Sequence, residues 1–293
     1  MSLHISSPKC AFVPQGRFGN NLLQYIACKL FCKTFGYDYV PTTNQLNTPV
    51  LTLFENEADI QWRIMETPLK RVYRVPLNIE KQLLDECKGK DVLLHGYYQN
   101  LEFINDNLDA IRAFLNHTNT DYFNTTTRVC DLFSYSPSSY SISPTIVLHV
   151  RLDDFYNAGN GSNVLPLTYY EICIDNLILW FENKQKDIYS LPLWIVTDTI
   201  RTEKERNYLQ QLNTMLYRKG FKDHNVQLHQ KTFLEDWSIC RDATYFISSN
   251  STFAWTAMIV GKPILAMIPN THYYPHQIIT PLNHIETCIV WDL

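Results

Sequence analysis

At 293 residues the chain is long enough for two ordinary domains or one large one. Hydrophobic residues make up 45% and charged residues 18%, a normal globular balance that excludes a disordered or fibrous chain. The formal net charge of −4 excludes bulk binding to nucleic acid, so any phosphate site has to be a local arrangement and not a basic face.

The first ten residues, MSLHISSPKC, carry no apolar signal core. No window approaches the roughly 18 uninterrupted apolar residues of a membrane span; a cytoplasmic setting is expected from the scattered cysteines, unless the chain is part of a lumenal protein. Next comes a βαβ start. KCAFV reads as a strand, PQGRFGN as a loop, NLLQYIACKLFCKTF as an apolar helix ending near Gly36, and GYDYVP as a second strand. Residues 42 to about 90 show no clear pattern. DVLLHGYYQ then reads as a strand and NLEFINDNLDAIRAFLNH as one amphipathic helix. Residues 117 to 144 are rich in Ser, Thr, Asn and Pro and make the best linker, dividing a domain at 1–140 from one at 141–293.

Beyond the linker the rhythm becomes regular. Strands TIVLHV, LPLWIVTD, NVQLHQ, TYFISS and KPILAMI alternate with helices LTYYEICIDNLILWFEN, TEKERNYLQQLNTMLYRK, FLEDWSICRDA and STFAWTAMIVG. Five apolar strands separated by four helices specify a doubly wound parallel sheet covered on both faces. Residues 270 to 293, rich in Tyr, His and Pro, are expected to return toward the first domain.

The eight cysteines are Cys10, Cys28, Cys32, Cys87, Cys130, Cys173, Cys240 and Cys288, with no Cys-x-x-Cys pair. Cys28 and Cys32 stand one helical turn apart, a spacing that can serve a metal. With no second pair or histidine nearby in sequence, reduced core thiols are the stronger reading, and no metal ligands are assigned. The sequons at Asn116, Asn124, Asn160 and Asn250 are read as unmodified.

In an open α/β sheet, ligands bind outside the carboxyl ends of the strands. Arg151 follows the first strand of the second half, Asp198 ends the next, and Ser248 to Thr252 follow the fourth. A strand that runs straight into an arginine has either reached the surface or aims a guanidinium at an anion. The SSNST turn opens a helix, whose N-terminus carries unbonded N–H groups and about half a positive charge. Asn250 or Ser251 can simply cap that helix. Together with Arg151 the turn is expected to form a diphosphate cradle. In GRFGNN, Gly16 and Gly19 permit a tight turn, and Asn20 and Asn21 either cap the helix or, for Asn20, face a cleft. The three-glycine dinucleotide fingerprint is absent, as are Asp-x-Asp after a strand, Gly-x-Ser-x-Gly and His-Glu-x-x-His.

Four stretches carry a resemblance. GRFGNNLLQYIACKL resembles G-x-x-G-N-Q-x-x-Q-Y-A, HGYYQNLEFI resembles G-Y-x-Q-x-x-x-Y/F, HVRLDDF resembles H-x-R-R-x-D, and SSNSTFAWTA resembles x-N-S-S-F-S-W-W. These are the signatures of the α1,2-fucosyltransferase family, within the superfamily that includes α1,6- and protein O-fucosyltransferases. They occur in the family's order over residues 16 to 260. The chain departs from the pattern at Asn21, at Leu152 (the second arginine), at Asp153 and at Thr256 (the second tryptophan).

The resemblance implies an α/β, GT-B-like architecture of two Rossmann-like domains, the first facing the acceptor and the second holding the donor. It implies GDP-fucose as donor substrate, an oligosaccharide or glycoconjugate acceptor, inversion at the anomeric carbon and no cofactor or metal. Carried onto this chain, Arg151 would hold the β-phosphate and His149 would line the guanosine site. Ser251 and Thr252, beside Asn250, would hold the diphosphate, and Asp236 would accept from guanine N–H groups. Asn20, next to Gly19, would face the reaction centre. Asp153, Asp154 and Asp198 are the carboxylates available as a base, with Asp154 and Asp198 also substrate-binding candidates. A transferase of another GDP-sugar, or a non-catalytic nucleotide-sugar or glycan-binding protein, remains open at this point.

Overall fold

The computed structural model describes residues 7–41, 70–73, 89–115, 144–157, 163–222, 225–230, 232–271 and 277–293, with residues 50 and 87. The expected linker lies outside these except for its last residue, and so does nearly all of 42–90. The chain divides into two compact units, Met1–Ser136 and Pro137–Leu293.

The first unit contains β1 (Lys9–Phe12), α1 (Phe18–Phe35), β2 (Asp38–Tyr39), β3 (Lys70–Tyr73), β4 (Val92–His95), α2 (Leu101–Asp106) and α3 (Leu108–Leu115). Its four described strands pair in the order β2-β1-β4-β3, every pair parallel. Apart from its C-terminal turn, α1 is buried almost all round, which is why its sequence is apolar without a polar stripe. It ends where Gly36 takes a left-handed conformation (φ 72°) and its N–H bonds to the Cys32 carbonyl. The single helix expected from Asn100 onward is two. Asn100 caps α2 by accepting from the Phe103 N–H at 3.0 Å. Asn107, at φ −120°, then breaks the spiral, and its side chain donates back to the Phe103 carbonyl at 3.0 Å.

The second unit contains β5 (Ile146–Val150), α4 (Asp153–Asn157), α5 (Leu167–Asn183), β6 (Leu193–Thr197), α6 (Glu203–Arg218), β7 (Val226–His229), α7 (Phe233–Arg241), β8 (Tyr245–Ile247), α8 (Thr252–Val260), β9 (Leu265–Asn270) and β10 (Thr287–Asp292). The sheet order is β10-β9-β8-β5-β6-β7, all parallel. Numbered within this unit, that is 3-2-1-4-5-6 read from the β7 edge, the dinucleotide-fold order. The five strands and four helices read from the sequence are all present. Of the last residues, Thr287–Asp292 pair with β9 as a sixth strand. Capping boxes start two helices: Thr202 with Glu205 for α6, and Thr232 with Glu235 for α7. The core is formed by the β5, β6, β8 and β9 side chains against α5 and α6, among them Leu148, Ile195, Tyr169, Ile174, Leu212 and Met267.

Candidate functional site in the second unit

The chain order reverses between β5 and β8, and a crevice opens outside the carboxyl ends of adjacent strands at such a switch point. His149 and Arg151 arrive there from β5 and Ser248 to Ser251 from β8. Asp198 arrives from β6, next to β5, and His229 with Gln230 from β7. Register fixes this alignment: His149 pairs with Val196, Val196 with His229, and Leu148 with Ile247.

Arg151 has not reached open solvent; its side chain is 11% exposed. Its Nη1 donates to Asp198 at 2.7 Å, while Nε and Nη2 both donate to one oxygen of Asp154 at 3.0 and 2.7 Å. The guanidinium lies 5.6 Å from the Phe155 ring centre. The Leu152 N–H donates to the other Asp198 oxygen at 3.3 Å, and Gln230 donates to the Asp198 carbonyl at 2.7 Å. A guanidinium has five N–H donors and these bonds use three, leaving one on each Nη. Burial raises the Asp198 carboxyl above its ordinary range, and the Arg151 charge pulls it partly back. Asp154 and Asp198 are thus first of all partners of Arg151. Asp153 lies 3.4 Å from Arg201.

His149 is buried. Its Nδ1 meets the Ser249 hydroxyl at 2.8 Å, and its ring stacks on Phe253 at 5.3 Å. Burial, reinforced by the Arg151 charge, lowers its pKa to about 3, so the imidazole is neutral at pH 7. Two tyrosines that sequence reasoning missed fix the strand ends: Tyr170 donates to the His149 carbonyl at 2.9 Å and Tyr169 to the Ser248 carbonyl at 2.7 Å. Their signal was a Tyr-Tyr pair in the first turn of the helix.

Ser251 caps α8 by accepting from the Phe253 N–H at 3.3 Å, as the simpler reading had it, and Thr252 is the first helical residue. Asn250 is 6% exposed; its amide donates to the Asn163 carbonyl at 3.1 Å, and its buried Oδ1 has no partner among the described residues. An orphaned buried carbonyl beside a helix N-terminus can accept from a ligand N–H or hydroxyl. Such burial also makes Asn250 a poor glycan acceptor. Asp236, in the first turn of α7, is buried and hydrogen-bonds to His229 Nδ1.

Two departures from the motifs have physical reasons. Leu152 is 1% exposed and belongs to the core, where a second arginine would be buried without a designed partner. Thr256 accepts from the Trp237 indole N–H at 3.2 Å and donates to the Phe253 carbonyl at 2.9 Å, satisfying a fully buried tryptophan on the facing helix.

The first two motifs meet within the first unit. Asn20 accepts from Gln99 at 2.9 Å. Gln24, fully buried, donates to the Gly96 carbonyl at 2.9 Å and accepts from the Gln15 N–H at 3.0 Å. Gln15 in turn meets His95. Neither Asn20 nor Asn21 is the helix cap; α1 begins at Phe18, with Arg17 in the capping position. Gly16 takes a left-handed conformation, φ 74°, which favours glycine, and a Cβ there would also displace the Asn20 side-chain amide. Gly19 lies buried in the first turn of α1.

No protein-family model matches the chain, and no curated protein matches it. Solved structures do. The fucosyltransferase NodZ from Bradyrhizobium superposes with a TM-score of 0.50 at 12% identity, covering 87% of this chain and 92% of that one. A variant of Arabidopsis thaliana FUT1 in complex with GDP gives 0.49 at 11% identity, over 89% of this chain and 70% of that one. POFUT1 in complex with GDP-fucose gives 0.48 at 10% identity, over 97% and 98%. The likeness to NodZ is one of fold: this chain has a GT-B-like α/β fold built of two Rossmann-like units with parallel sheets.

Proposed function

We propose that the protein is a fucosyltransferase that moves fucose from GDP-fucose to a hydroxyl of an acceptor glycan, with inversion, without a metal, and in an α1,2 linkage. One observation carries the reading. At the switch point of the second sheet, a nearly buried arginine with two N–H donors to spare faces the strand edge from which a helix N-terminus also starts. The fold, shared with the fucosyltransferase NodZ, supports it. So do the four ordered motif resemblances.

Breaking a sugar–phosphate bond builds negative charge on the departing diphosphate, and fixed donors aimed at that charge lower the barrier. Arg151 would hold the β-phosphate through one N–H on each Nη. Asp154 and Asp198 fix its plane beforehand, so little ordering is left for the moment of reaction. The α8 N-terminus at Ser251 and Thr252 would complete the diphosphate cradle. Neutral His149 and the Asn250 Oδ1 would line the nucleoside side, with Asp236 accepting from guanine. Asn20 of the first unit would act on the acceptor side.

The test is nucleotide choice followed by turnover. GDP at ~100 times its dissociation constant is expected to stabilise the fold by about 2.7 kcal/mol, with UDP and ADP far weaker. GDP-fucose should release GDP faster when a galactoside acceptor is added. Equal thermal shifts with all three nucleotides would remove the guanine assignment. Tight GDP binding without turnover on any acceptor would leave a nucleotide-sugar-binding protein. That second reading has its own support: two carboxylates already neutralise Arg151.

A further inference from the structure

The sequence placed Cys28 and Cys32 one turn apart on α1 without a third ligand. The fold supplies one. Cys10, in the middle of β1, brings its sulfur 3.7 Å from that of Cys28, and the sulfurs of Cys10, Cys28 and Cys32 all lie within 4.8 Å of one another. Their exposures are 0%, 0% and 7%. No reaction assigned to the second unit uses these thiols.

We propose that Cys10, Cys28 and Cys32 form a metal site for a thiophilic d¹⁰ cation, zinc(II) by charge, that staples β1 to α1. Metal–sulfur bonds of about 2.3 Å put the sulfurs of a tetrahedral or trigonal site roughly 3.8–4.0 Å apart, close to the spacing already present between Cys10 and Cys28. The three donors are all sulfur, the set that selects zinc or copper(I) over magnesium, calcium or manganese. Charge separates the first two. Three thiolates carry −1 with zinc(II) and −2 with copper(I); Lys29, packed over the Tyr25 and Tyr39 rings, and Asp38 act on Cys32 in opposite directions and leave that difference unchanged. Zinc(II) therefore leaves the smaller buried charge, which an apolar interior favours. Cys87, outside the three-sulfur group, is the candidate for a fourth ligand. It is 2% exposed, and Tyr37 bridges it to the cluster: the Tyr37 N–H donates to the Cys32 carbonyl at 3.0 Å and its hydroxyl to the Cys87 carbonyl at 2.7 Å. Each bound thiol gives up its proton to solvent on metal entry. The burial means that the metal enters while the unit folds.

The full chain, expressed with zinc in the medium and purified without chelator, is expected to hold about one zinc per molecule by elemental analysis. Refolded with cobalt(II) instead, it should show thiolate-to-cobalt charge transfer and the intense visible bands of a tetrahedral site, and zinc should erase both. A double variant, Cys28→Ser with Cys32→Ser, should lose the zinc, Cys87→Ser should weaken it, and Cys173→Ser in the second unit should retain it. Wild type with background zinc and no cobalt spectrum overturns the proposal, whether or not the variants fold. Full zinc content in the folded double variant overturns it equally. A thiol count showing a Cys10–Cys28 disulfide in the purified protein does the same.

Discussion

Arg151 shows how a side chain can serve structure and ligand at once. A strand-end arginine at the surface would be dispensable to folding, but this one is nearly buried between Asp154 and Asp198. Removing it strands Asp198 in a desolvated position, a loss of about 3–5 kcal/mol for a broken buried pair. Arg151→Ala is therefore expected to unfold early in urea, and that alone says nothing about phosphate. The informative variants separate the roles. Arg151→Lys keeps the charge and loses the paired geometry, so turnover should fall by about two to three orders of magnitude while the urea midpoint moves little. Adding Asp198→Asn to Arg151→Ala should restore much of the stability but none of the GDP affinity; recovery of GDP binding would make Arg151 purely structural. His149 gives a second prediction at this scale. Its pKa is lowered from 6.5 to about 3, so the unfolded chain takes up a proton between those values that the folded one refuses. The stability His149 contributes is complete above pH 6.5 and drains away as pH falls toward 3, by up to about 1.4 kcal/mol per pH unit. Denaturation measured across that window should be flatter in His149→Gln. An unchanged slope would mean that other groups set the acid sensitivity.

At the scale of elements, α7 and α8 touch through a glycine. A Cβ on Gly261 would lie 2.1 Å from the Arg241 carbonyl oxygen and 2.9 Å from that of Ala257, both backbone atoms that cannot swing away. Gly261→Ala is expected to cost roughly 1–3 kcal/mol, read as a lower urea midpoint with an unchanged slope. The backbone there is extended and undistorted, so the cost is contact alone. Elements of this unit were largely legible in the sequence. Apolar runs such as TIVLHV bounded by polar turns carry the strand period, and Thr202 and Thr232 with a Glu three residues on mark helix starts. Less was legible where a single polar residue decides the outcome. Asn107 splits an amphipathic helix by bonding its own side chain to the backbone, which the apolar periodicity does not register. β10 has the apolar run of a strand but follows a Pro- and His-rich stretch, and its pairing is known only once β9 is in place. The site was legible as a set of strand ends. That Asp198 faces Arg151, or that Cys10 reaches Cys28, depends on side chains meeting across crossovers that no local pattern encodes.

At the scale of the whole molecule, the described residues form two parallel sheets, one in each unit. If GDP occupies the switch-point crevice, amide exchange should slow at the ends of β5, β6 and β8 and in the first turn of α8, while β9 and β10 stay as they were. Protection spread evenly over the unit would point to general tightening and not to this crevice. Transfer is also expected to proceed without added divalent cations. Loss on chelation that manganese or magnesium restores would place a hard cation among Asp153, Asp154 and Asp198 and remove the metal-free mechanism; restoration by zinc alone would point to the sulfur cluster. The strand order has a further consequence, for time. β5 and β6 are successive strands, yet the contact that joins the two halves of the crevice, His149 to Ser249, spans 100 residues. Closing so long a loop comes late, after the local β5-β6-β7 crossovers have formed. The arginine end of the crevice is therefore expected to be in place before the serine end arrives. A nucleotide present during refolding should leave the first phase unchanged and hasten only the last, as a template for the docking of β8 onto β5.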